Sequence, residues 1–255
     1  MKLFLIMLVV MICIFYLMSV IQVTYWLRIV LLLLPPLLLI IFCLGAGRYN
    51  VRPGLKLLKI PEKGYESRIR AVQDIEQTIR NFGFAKIDEV YIRTLPVCLI
   101  YTYKHDTEPV YYFINHYGPG GISYKLVSKF DDEITLMTSA SYNDGNFPRR
   151  KKFLLQTFQG KKYYDLYTLH LVAMDYMKNN NMRVETLPDD VMLAYFNDSM
   201  LKNIERLRKD FFWSLRMIIW TLTDYGKRYA RPIEEQYPSG FDHIYIEDKL
   251  AANLK

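Results

Sequence analysis

No aspartate or glutamate occurs before Glu62 in this 255-residue chain. The same stretch holds Lys2, Arg28, Arg48, Arg52, Lys56 and Lys59, so its charge is of one sign only. Removing those six from the 33 basic residues leaves 27 against 26 acidic ones, and the rest of the chain is close to neutral. That distribution argues against a nucleic-acid partner, which needs a basic face on the folded domain itself. Cysteine is scarce as well. Cys13, Cys43 and Cys98 are an odd, scattered trio, which is no disulfide framework and suits a reducing compartment.

Motifs that carry chemistry are equally sparse. The four histidines form no H-E-x-x-H, and there is no paired C-x-x-C, G-x-S-x-G or Cys–His signature. We therefore expect no metal and no cofactor. The glycine-rich Tyr117-Gly118-Pro119-Gly120-Gly121 lacks a following Lys-Ser/Thr and leads into a strand-like run, so it reads as a hairpin turn rather than a phosphate cradle. Asp131-Asp132-Glu133 reads as an acidic turn.

What the chain has in abundance is apolar sequence at its start. Leu3 to Val23 carries no charge, and its 21 residues would reach about 30 Å as a helix, the thickness of a bilayer core. The run is longer than a signal-peptide core and offers no small-x-small cleavage site, so an uncleaved anchor is expected. From Trp26 to Ala46 only Arg28 is charged. Pro35 and Pro36 interrupt this second stretch and each removes a helical donor. A kinked second crossing is favoured over a re-entrant loop, because each half of a re-entrant segment would be too short to cross. Arg48, Arg52, Lys56 and Lys59 follow at once, and the positive-inside rule assigns that end to the cytoplasm. The expectation is a transmembrane helical hairpin over residues 1–47, with spans at about 3–23 and 27–46, integral to the plasma (inner) membrane. A basic juxtamembrane linker, 48–64, would rest on anionic headgroups.

Beyond the linker the patterning changes. Ile69, Val72, Ile75 and Ile79 recur at helical spacing, with Ser67 placed as N-cap and Gly83 as stop. Five strand-like runs follow, Lys86–Arg93, Val97–Lys104, Val110–His116, Ile122–Phe130 and Ile134–Ser141, with Phe153–Phe158 as a candidate sixth. The short gaps between them permit hairpins, which predicts an antiparallel meander. Leu166, Leu169, Val172, Ala173 and Tyr176 then mark one side of a helix. A second helical region, 183–229, is read as one long helix or two joined at an angle, and the tail 230–255 as irregular. The fold class is thus membrane-anchored α+β: an N-terminal hairpin, a helix, a meander of five or six strands and C-terminal helices. Residues 65–182 would be the cytoplasmic domain.

Two stretches stand out as candidate contact sites. In Phe211–Thr223, Trp213 and Trp220 lie seven residues apart on one helical face. Indole favours the water–lipid boundary, which groups them with Trp26 and Arg28 as membrane-interface residues; the alternative is packing in the domain's own core. Arg149, Arg150, Lys151 and Lys152 form a candidate basic patch.

The function these features favour is non-catalytic: membrane-anchored binding, scaffolding or sensing, including an accessory-subunit role in a membrane complex. Its partners would be membrane lipids with anionic headgroups and a protein partner or a second copy of the chain. A sheet face carrying Tyr101, Tyr103 and Tyr112 would make the contact. The competing reading is an enzyme acting on a lipid or membrane-bound substrate, with His105, His116 and His170 as acid–base candidates.

Overall fold

The computed structural model describes Tyr16 and residues 25–61, 63–141, 144, 152–223, 227 and 229–241. Helix α1 spans Tyr25–Asn50 and runs unbroken through Pro35 and Pro36. Its 26 residues extend about 39 Å, so this segment is a helix of crossing length and not a re-entrant loop. Among the described residues it is the one helix long and apolar enough to cross a membrane. Apart from Tyr16, the expected first span, 3–23, lies outside the described residues, and the two-span hairpin is therefore not supported.

The rest of the chain is an α+β fold built on one mixed, open sheet of seven strands, in sequence order. These are β1 (Leu57–Lys59), β2 (Phe84–Ile92), β3 (Cys98–His105), β4 (Tyr111–His116), β5 (Ile122–Lys129), β6 (Thr135–Ser139) and β7 (Phe153–Thr157). The pairings from β1 to β6 are antiparallel, as the short turns require. The last, β6 with β7, is parallel and corrects the expected all-antiparallel meander. Its reason is connection length: residues 140–152 are enough to carry the chain back to the same end of the sheet, which a tight turn is not. The extra strand, β1, comes from the linker and pairs Leu57–Lys59 with Ile92–Val90.

Helix α2 (Glu66–Arg80) buries Val72, Glu76 and Ile79, and no side chain caps its start, so Ser67 is not its N-cap. Helix α3 (Tyr163–Asn179) buries Leu166, His170, Ala173, Met174 and Met177. The buried stripe is rotated from the expected one: Val172 is 48% exposed, and His170 takes an inward position. The second helical region divides at Asp210 into α4 (Asp189–Lys209) and α5 (Trp213–Leu222). In the tail, the short helix α6 (Ile233–Gln236) inserts Ile233 into the main core and is followed by buried Phe241.

Candidate functional site

Strand alternation gives the sheet two very different faces. On the first lie Leu99, Tyr101, Tyr103, Tyr112, Ile114, Leu126, Leu136 and Leu154, all buried in the main core that includes residues of α2 and α3. Tyr101, Tyr103 and Tyr112 are thus interior, and the expected tyrosine contact surface does not exist. Large aromatic rings on a half-covered sheet are the groups that most favour burial.

The second face carries Cys98, Ile100, Phe113, Asn115, Lys125, Val127, Met137 and Leu155, and α4 lies over it with a gap. The helix presents Leu193, Phe196, Met200, Ile204 and Leu207 to that gap, a three-and-four spacing that makes one face. Contacts at its ends hold it in place. Near its start Lys104 Nζ pairs with Asp189 at 2.6 Å, and the Tyr195 and Thr135 hydroxyls share a 2.8 Å hydrogen bond. Phe196 sits edge-on to Phe113 at 4.9 Å and to Tyr111 at 5.4 Å. At the other end Leu207 packs with Val51 and Trp213 in a small separate cluster. Between roof and sheet is a cleft of about 460 Å³, within the range of small-ligand sites. Asn50 and Val51, at the end of α1, and Trp213 and Met217, on α5, complete its lining.

The lining is mostly apolar, with one charged pair. Lys125 Nζ lies 2.6 Å from Asp144 Oδ1, and the Ser139 hydroxyl donates to the other carboxylate oxygen. Burial disfavours the Lys125 ammonium, yet the Asp144 carboxylate outweighs it and holds the pKa above the ordinary lysine value. Nearby, burial pushes the Cys98 thiol up to about 12 and raises Tyr117, which shares a side-chain hydrogen bond with it. The Trp213 Nε1 donor in the lining has no protein partner, and neither do the Ser123 and Thr157 hydroxyls, which lie on this side of the sheet but outside the lining. In the strand register Ser123 stands opposite Asn115, and Thr157 beside Ser139.

Compared with known protein families, curated proteins and solved structures, the chain gives no match. Its function has to be argued from the cleft.

The three histidines do not converge. His105 and His116 sit at opposite ends of the β3–β4 hairpin, since His116 pairs with Leu99, six residues from His105, or about 20 Å along the strand. His105 Nδ1 accepts from the Thr107 and Glu108 amides, and its ring stacks on Tyr167. His116 Nδ1 accepts from the Gly118 amide, while burial and then Arg68 lower its pKa. His170 is fully buried, bonded to Ser128 Oγ at 3.0 Å and Thr138 Oγ1 at 2.8 Å, and burial takes its pKa down to about 3. Each of the three is held by its own set of contacts, and no two share a partner. Among the described residues no group of three His, Cys, Asp or Glu could hold a metal ion.

The expected membrane-interface residues are placed as follows. Arg48 Nη1 donates to the Arg208 carbonyl at 2.7 Å and its guanidinium lies over Phe211; Arg52 stacks on Tyr49 at 3.8 Å. Lys56, just before β1, and Lys59, its last residue, are exposed. Trp213 is 9% exposed beside Val51, and Trp220 is half-buried beside Arg216. Trp26 and Arg28 belong to α1, but their side chains lie outside the description, as do Arg149, Arg150 and Lys151. Lys152 is half-buried, and its carbonyl accepts from the Thr135 amide. Sequence reasoning missed the cleft, and one signal for it was present: the continuous burial of β3, apolar on both faces from Cys98 to Tyr101.

Proposed function

We propose that this chain is a membrane-anchored binding or sensing protein that works without catalysis and takes a small apolar ligand in the cleft. The observation that carries this reading is the composition of the cleft wall: strands of the sheet, α4, α5 and the last turn of α1 all contribute to one cavity. A ligand there touches the anchor helix and the domain at once, so its binding biases how the two pack. The basic cluster after α1 supports a cytoplasmic position for the domain at the plasma (inner) membrane. In this reading the apolar residues before α1 form a second span, and anionic headgroups meet Lys56 and Lys59. The separation of the histidines supports a non-catalytic role.

The test uses full-length protein in lipid nanodiscs, with Trp26→Phe and Trp220→Phe so that Trp213 is the one remaining donor. Anilinonaphthalene sulfonate should show emission sensitised by Trp213, lost when Ile100→Phe and Val127→Phe fill the cleft. Equal transfer in the filled variant, with its thermal unfolding unchanged, would overturn the reading.

A further inference from the structure

We propose that the ligand of this cleft is the acyl chain of a single-chain amphiphile drawn from the membrane, its hydrocarbon toward Val51 and Trp213 and its polar end at Lys125. The proposal rests on the cleft being a binding site.

The route comes first. Val51 and Trp213 belong both to the cleft lining and to the packing where α5 meets the end of α1. From there the apolar surface continues outward. Phe211, Phe212 and Ile219, in and just before α5, are 52, 57 and 56% exposed, and Ile41 and Phe42 of α1 are 56 and 61% exposed. An exposed apolar surface of this extent, adjoining a helix of crossing length, meets lipid rather than water. A hydrocarbon chain drawn from the bilayer would enter where Val51, Leu207 and Trp213 pack together, and these side chains part to admit it. The unpartnered, buried indole N–H of Trp213 lies at that end.

Shape and chemistry agree with the route. Taking about 30 Å³ per water-sized group, the cavity holds on the order of fifteen non-hydrogen atoms, the size of one fatty chain and too small for two. Ile100, Val127, Met137, Met200 and Ile204 give it aliphatic, adaptable walls. The donors in the lining include Lys125, which has spare N–H groups beyond its bond to Asp144, and the Asn115 amide, with the unpartnered Ser123 hydroxyl across from Asn115 in register. They match a compact acceptor such as a carboxylate.

The experiment is photolabelling of full-length protein in membranes with a diazirine fatty acid, the labelled peptides being mapped by mass spectrometry. Label on the β4–β5 and α4 peptides, lost in the filled variant above, is the expected result. The matching diazirine fatty alcohol should label those peptides less than the acid does. That preference should vanish in Lys125→Met with Asp144→Leu, a pair of changes that leaves no buried charge to unfold the domain. Label confined to α1 and α5, while anilinonaphthalene sulfonate still reports a cleft site, overturns the acyl-chain assignment and leaves the cleft a site for another ligand. Absence of both signals overturns the assignment and the binding reading together.

Discussion

Gly47 of α1 and Ser214 of α5 touch so closely that a Cβ on Gly47 would stand 2.5 Å from both Cβ and Oγ of Ser214. The two helices meet there because Gly47 has no side chain. Around that contact Arg208 donates to the Val51 carbonyl at 2.8 Å, and Arg48 donates to the Arg208 carbonyl at 2.7 Å. Gly47→Leu should push α5 off α1 and cost about 1–3 kcal/mol as an overpacked contact. Ser214→Gly should recover much of the loss for the smaller change Gly47→Ala. Thermal unfolding of the four variants of a Gly47→Ala, Ser214→Gly cycle measures the coupling; additivity would mean the helices do not meet here.

The Lys125–Asp144 pair should behave as a buried ion pair. Lys125→Met alone should destabilise by about 3–5 kcal/mol, because it strands the Asp144 carboxylate. Lys125→Met with Asp144→Leu should be close to wild type or more stable. Urea denaturation of the single and double variants separates these outcomes.

His170 predicts a specific acid sensitivity. Its folded pKa is about 3 against an ordinary 6.5, so between those values the unfolded chain binds the extra proton. Its stabilising effect is complete above about pH 6.5 and declines as the pH falls toward 3, by up to about 1.4 kcal/mol per pH unit. In His170→Gln this part of the slope should disappear. The check is the unfolding free energy of both proteins measured across that window, where parallel curves would contradict the buried neutral imidazole.

Cys98 should be inert in the native state. A thiol pushed up to about 12 is almost wholly protonated near pH 8, and the residue is only 4% exposed. With Cys13 and Cys43 replaced by serine, iodoacetamide should modify it on the order of a thousandfold more slowly than an unfolded control. Rapid modification would mean that the cleft opens often.

The topology prediction concerns the whole chain. A cysteine at Ser239 should resist an impermeant maleimide added to intact cells and react once they are lysed, if the basic cluster after α1 faces the cytoplasm. Labelling in intact cells would reverse the assignment.

The sequence by itself determined the elements. Period-two runs bounded by Gly, Pro, Asn and Asp located β2 to β7 within a residue or two, and helical spacing located α2 and α3, because these signals act over a few neighbouring residues. It also determined that Leu32–Asn50 is apolar enough for a bilayer. Tertiary structure decided the rest. Leu57–Lys59 is a strand only because Val90–Ile92 offers it an edge, and β6 and β7 run parallel only because the chain returns over residues 140–152. Which aromatic face is covered, and that His170 serves the core, depended on where α3 packs. The cleft needed the most distant partners of all: Val51, Lys125, Met200 and Trp213 lie far apart in the chain and share a wall only once α4 crosses the sheet. No local pattern records that, since a cavity is a property of surfaces that fail to meet.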